Sequence, residues 1–123
     1  MIEFIINGET PAKKNSRINT RSGRSFPSKR YTEWHNSALA QIYVQGKEQL
    51  SGCPIGSPCR ISLTFTHGDL RRRDSDNGTS SILDLLKDSG VLEDDNWQIV
   101  REVNVDNLYC KGKACCEIAI ELL

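Results

Sequence analysis

The sequence predicts an α+β fold, a small mixed sheet packed against two helices in the order β-α-β-α-β-β. Three observations predict it. At 123 residues the chain has the length of one domain, residues 1–123. Four short segments carry the apolar and polar alternation of half-buried strands. Two longer segments space their apolar residues three and four apart, as a helix with one buried stripe does.

The first strand is predicted over residues 2–6, from Ile2, Phe4 and Ile6. Residues 7–28 are rich in Asn, Thr, Ser, Gly, Pro and bases and read as a long loop. Ser28 is placed to cap a helix from about Lys29 to Leu50, with Tyr31, Trp34, Ala38, Leu39 and Ile42 facing inward. Residues 51–58 are a connector. Ile61, Leu63 and Phe65 then alternate with Ser62, Thr64 and Thr66 as a strand. A second helix is predicted from about Gly78 to Ser89, capped by Asp76 or Asn77 and ended by Gly90, with Ile82, Leu85 and Leu86 inward. Two closing strands, about Ile99–Val105 and Ala114–Leu122, flank a turn containing Lys111-Gly112-Lys113.

The net charge is zero, but the charge is unevenly spread. Residues 1–30 carry Lys13, Lys14, Arg17, Arg21, Arg24, Lys29 and Arg30 against Glu3 and Glu9, while residues 81–123 are acidic. A basic arm of this kind neutralises phosphates even on a neutral protein. No apolar run nears the ~20 residues of a membrane span, and no signal-peptide layout opens the chain, so a cytoplasmic location away from membranes is expected. Cys53, Cys59, Cys110, Cys115 and Cys116 are odd in number and lack zinc spacing. They read as reduced, mostly buried thiols.

The chemistry concentrates in Arg71-Arg72-Arg73-Asp74-Ser75-Asp76-Asn77 and in Asp94-Asp95. On an extended segment Asp74 and Asp76 share a face, with Arg72 beside them. Hard carboxylate oxygens next to cations suit Mg²⁺ or Mn²⁺ acting on a phosphate. Capping by Asp76 or Asn77 and a simple turn at Asp94-Asp95 are the competing structural readings. A calcium loop fails, because position 12 counted from Asp74 is Leu85. His35 and His67 have no serine or cysteine partner motif and read as structural. No glycine-rich phosphate loop is present, so no nucleotide cofactor is expected.

The run from Arg71 to Asn77, the Leu85-Leu86 helix, Ser89-Gly90 through Asp94-Asp95, and then Gln98 together resemble the RusA family of Holliday junction resolvases. The 19-residue separation of Asp76 and Asp95 agrees with the family pattern. The match is tightest over residues 71–98. The resemblance implies a bacterial or phage-encoded homodimeric endodeoxyribonuclease that nicks four-way (Holliday) DNA junctions symmetrically in recombination and repair, using Mg²⁺ or Mn²⁺. Carried over, Asp74, Asp76 and Asp95 match the metal-binding, catalytic aspartates. Lys13, Lys14, Arg17, Arg72, Arg73 and Asn77 are the expected DNA contacts.

One position departs from the family pattern. A lysine follows the second aspartate by four residues there, and Ser80 stands in its place here. Lys87 lies on the same helical face but about 10 Å further along. Lys13, Lys14 or Arg72 are the other candidates to supply the charge. A second reading follows, a branched-DNA-binding protein with weak or no turnover, and a third treats the acids as decorative on a structural or protein-interaction module. Tyr31 and Trp34 have the spacing of core residues, which outweighs base stacking.

Overall fold

The apolar alternation of three strands sets the architecture. In the computed structural model, which describes residues 1–12, 17–19 and 21–123, β1 (Ile2–Asn7), β4 (Cys59–His67) and β6 (Cys115–Leu122) turn their apolar residues to one face. Two further short strands, β2 (Arg17–Asn19) and β3 (Ser25–Pro27), precede α1 (Lys29–Gly46), and α2 (Thr79–Asp88) precedes β5 (Val100–Tyr109). The main sheet runs β1-β6-β4-β5 and is mixed: β4 is antiparallel to β6 and parallel to β5. The α+β class expected from the sequence is what the chain adopts.

Register lines up the core in rows. Phe4 opposes Ile118, which opposes Leu63; Ile6 opposes Cys116, which opposes Phe65. All six are at most 3 % exposed. The helices supply the other layer, with Ala38 and Ile42 from α1 and Ile82, Leu85 and Leu86 from α2. Each of these Ile and Leu side chains contributes roughly 1.5–3 kcal/mol by leaving water. Cys59 and Cys116 act as small buried hydrophobes, Cys115 points to the opposite face, and all five cysteines are free thiols. Burial drives the Cys116 thiol up to about 12. Among the described residues no helix is long and apolar enough to cross a membrane.

Several boundaries differ from the sequence reading. The predicted loop 7–28 contains the β2–β3 hairpin, whose three-residue strands are too short for alternation to register. The helix predicted to Leu50 ends at Gly46, a poor helix former, and residues 47–49 form a turn that packs Leu50 against that glycine. Strand β5 continues four residues past Val105 through Asp106-Asn107-Leu108-Tyr109, where the apolar alternation breaks. The turn at Lys111–Lys113 is not a hairpin, since β4 lies between β5 and β6. Cys110 N–H donates to the His67 carbonyl (3.0 Å) and Gly112 N–H to the Gly68 carbonyl (2.9 Å) as the chain crosses the end of β4.

Ser28 caps α1 as predicted, its Oγ accepting from Tyr31 N–H at 3.1 Å. The expected Asp76 or Asn77 cap on α2 is absent. Gly78 holds that position without a side-chain cap. The reason is space: a Cβ there would lie 2.8 Å from the Phe65 ring and 2.9 Å from the Thr10 methyl. Gly78→Ala is therefore expected to cost about 1–3 kcal/mol, read as a lower urea midpoint with an unchanged slope.

The two edges of the sheet are treated differently. Along β1, Gln49, Gln45 and Gln41 accept from the N–H groups of Glu3, Ile5 and Asn7, each at 2.8 Å. Gln45 and Gln49 also donate back to the Ile5 and Glu3 carbonyls. From Gln41 to Gln45 four helical residues rise about 6 Å against about 6.7 Å for two strand residues, and the turn after α1 brings Gln49 into the same row, so the side-chain amides keep step with the strand. They occupy the positions of a neighbouring strand. At the other edge no strand among the described residues pairs with the outer side of β5, where Val103, Val105, Leu108 and Tyr109 are 36–50 % exposed.

Candidate acidic site

The β4–α2–β5 unit decides where the acids fall. In a parallel pair the crossover helix returns the chain to the starting end of the sheet. Residues 68–78 leave the end of β4, so Asp74, Asp76 and Asn77 sit there, and Asp94 and Asp95 sit at the opposite end, just ahead of β5. The ten residues of α2 between them span ~15 Å.

Asp74 and Asp76 are exposed, and the backbone around them is not extended. Asn77 N–H donates to the Asp74 carbonyl and Thr79 N–H to the Asp76 carbonyl, each at 3.1 Å. The shared face that an extended segment would create is replaced by a turn that winds into α2. The two readings share a cause: the same residues must lead the helix in as well as carry the carboxylates.

A polar network holds this turn against the sheet. Asn107 on β5 donates through Nδ2 to the Ser75 carbonyl at 2.9 Å, between the two aspartates. Asn107 Oδ1 is 2.8 Å from His67 Nε2, and His67 Nδ1 is 2.8 Å from Glu9 Oε2. The imidazole stacks on Phe65. Arg73 closes the network, with Nη2 3.2 Å from Glu9 and Nη1 2.9 Å from Asp69. Arg73 holds the Asp69 carboxyl below its usual range. His67 thus has a structural place, as expected, but one beside the acids. Nothing local in the sequence marks Glu9 or Asn107 as part of this site, because each lies more than 30 residues from Ser75 and belongs to no motif.

The acids at the other end are arranged differently. Asp94 accepts from Asn96 Nδ2 (2.9 Å) and from Asp95 N–H (2.8 Å) and pairs with Lys87 Nζ at 3.4 Å. These bonds, Asn96 first, hold its carboxyl down to about 2. Asp94 is thus the turn-forming acid, and Lys87 is committed to it. Asp95 is exposed, and beside it Trp97 is 77 % exposed. An exposed tryptophan on the acidic loop is a stacking surface that the sequence reading passed over.

The remaining predicted residues are scattered. Tyr31 and Trp34 are buried, so they serve the core. Lys13 and Lys14 lie outside the described residues, as does the side chain of Arg17, whose backbone belongs to β2. Arg72 is exposed and lines a cavity of about 410 Å³ with Arg30, Arg71, Asp74 and Asn77. Ser80 is exposed in the first turn of α2, while Ser81 is buried and donates to the Pro11 carbonyl, which ties the helix to the start of the basic arm. That tether explains a serine-rich helix start.

Among the described residues, one set of three metal-ligating side chains has its ligand atoms within 4.8 Å of one another: His35, Asp84 and Asp88. His35 Nε2 bonds Asp88 at 2.9 Å, and Tyr31 Oη donates to Asp84 at 3.3 Å. These contacts clamp α1 to α2. Burial and then Asp84 push the Tyr31 hydroxyl up to about 12. Asp74, Asp76 and Asp95 form no such set within one chain. Asp74 and Asp76 alone do fit Mg²⁺, which is commonly held by one or two carboxylates together with substrate phosphate oxygens and water.

The chain matches a family model described as endodeoxyribonuclease RusA over residues 7–121. It is similar to the crossover junction endodeoxyribonuclease RusA of Aquifex aeolicus (strain VF5), 29 % identical over 112 residues, which span 91 % of this chain and 84 % of the relative.

Proposed function

Because the chain belongs to the RusA family of endodeoxyribonucleases, we propose that it nicks four-way DNA junctions in paired, symmetric fashion with Mg²⁺ or Mn²⁺. The observation that carries this reading is the turn at Asp74 and Asp76, braced by Asn107 and opening on an arginine-walled cavity. Asp74 and Asp76 would hold the cation. When bound, the cation polarises the phosphate and acidifies a water for in-line attack. Arg72 and Asn77 border the same space and would orient the strand, while the basic arm with Lys13, Lys14 and Arg17 would follow the backbone. Arg73 would act indirectly, since its guanidinium is engaged by Glu9 and Asp69.

Asp95 enters this scheme through a second copy. The outer edge of β5, which no described strand covers, offers the backbone donors and acceptors of alternate residues along a ten-residue strand, flanked by half-exposed apolar side chains. Two copies pairing their β5 edges antiparallel about a two-fold axis would set the start of one strand beside the end of the other. Asp95 lies just before that start, and Asn107, bonded to the Ser75 carbonyl, lies near that end. A homodimer would thus complete two sites, one for each nicked strand.

The test is incubation of the protein with a labelled four-way junction and a matched linear duplex in Mg²⁺, Mn²⁺ and EDTA. Metal-dependent paired nicks confined to the junction are the expected result, with affinity falling steeply as salt rises. Tight junction binding without nicks would move the protein to the binding class and make the uncharged Ser80 the leading explanation. Absence of both would overturn the reading.

A further inference from the structure

Phosphoryl transfer needs positive charge at the phosphate, and the cations of this chain are unevenly available for it. The one cation of α2, Lys87, is paired with Asp94. Arg73 is paired with Glu9 and Asp69, Arg60 with Glu102 and Glu121, and Lys29 with Glu33. Arg30, like Arg72 in the acidic motif, differs from all of these. It is exposed, has no carboxylate partner among the described residues, and lines the 410 Å³ cavity that also contains Asp74.

Its position on α1 is costly for a residue without a task. The first turn of a helix carries the positive end of the macrodipole, where acids are favoured and bases are not. The first turn of α1 holds no acid, and Lys29 and Arg30 occupy it. Lys29 is compensated by Glu33 one turn on, and Arg30 is uncompensated. An anion in the cavity would relieve that repulsion. A guanidinium also suits a phosphate well, because its fork donates two parallel hydrogen bonds to two oxygens.

The geometry points to Arg30 as the residue that grips the scissile phosphodiester from α1, in the cavity that it lines together with Asp74 and Arg72. This assignment rests on the endonuclease reading and adds to it a phosphate-binding residue outside the acidic motif. Arg30 touches the substrate directly, so its loss acts on the cleavage step at saturating protein. A cation that merely tracks the backbone would weaken binding and lower the salt slope by about one, with little effect once the junction is bound.

The experiment compares the parent chain with Arg30→Ala and Arg30→Lys in single-turnover cleavage of a four-way junction, and in junction binding in EDTA. Thermal unfolding checks that each variant folds. Arg30→Ala is expected to slow single-turnover cleavage by roughly 10²-fold, the loss typical for one stabilising donor at a reacting centre. Its Kd should change by less than about threefold, because one of several phosphate contacts is lost. Arg30→Lys is expected to recover at least a tenth of the parent rate. Cleavage by Arg30→Ala within twofold of the parent, or a loss confined to Kd, overturns the assignment and leaves the endonuclease reading standing. A parent chain that binds the junction without cutting it removes the endonuclease reading, and the assignment with it.

Discussion

Replacing Asp76 with asparagine is expected to lower junction cleavage by at least ~10²-fold while junction binding in EDTA stays within a few-fold of the parent. Changes to groups that only support a metal ligand cost 10- to 100-fold, so loss of a ligand's charge costs no less. Asparagine keeps the shape of the side chain and removes its charge. The backbone carbonyl of residue 76, which accepts from Thr79 N–H, is untouched, so α2 keeps its first turn. Thermal stability should therefore stay within about 0.5 kcal/mol of the parent, as for most exposed substitutions. Raising Mn²⁺ should restore part of the rate. A variant that cuts at the parent rate would exclude Asp76 from the reaction.

The second large effect lies beneath that turn. Phe65→Ala is expected to destabilise the fold by about 3–5 kcal/mol, read from urea unfolding. Phe65 is 3 % exposed, pairs in register with Cys116, stacks on His67 and closes against Gly78. Removing the ring leaves a cavity under the helix start and frees the imidazole that links Glu9 to Asn107. At temperatures where the variant remains folded, the metal concentration needed for half-maximal cleavage should rise as well. Leu86→Ala, buried in the last turn of α2 and away from its start, supplies the control. A comparable stability loss there without a shift in metal requirement would separate bracing of the turn from bulk stability.

What the sequence made legible follows from the range of each signal. The alternation of Ile61, Leu63 and Phe65 and the spacing of Tyr31, Trp34, Ala38 and Ile42 are local, and the chain uses them as read. Ser28 and Gly90 are local too: one caps α1, and the other takes a φ of 79° just past α2. Contacts between distant segments were not legible. Gly78 is a glycine because Thr10 and Phe65 press on it from other parts of the chain. Gln41, Gln45 and Gln49 look like a solvated helix face until β1 is laid beside them. The acids show the same limit. Their identity stands in the motif, but the sheet order, with β5 parallel to β4, sets Asp95 at the far end from Asp74 and Asp76.

The glutamines along β1 also bear on how large an assembly can grow. A sheet with two bare margins invites endless addition, the route to fibres. Here three amides already satisfy one margin, so a chain joined through its other margin presents no further template. A pair built on the β5 edges would therefore stop at two. Substituting these glutamines would leave the fold's interior untouched and bare the β1 margin, so that such a pair would become a seed for open-ended stacking.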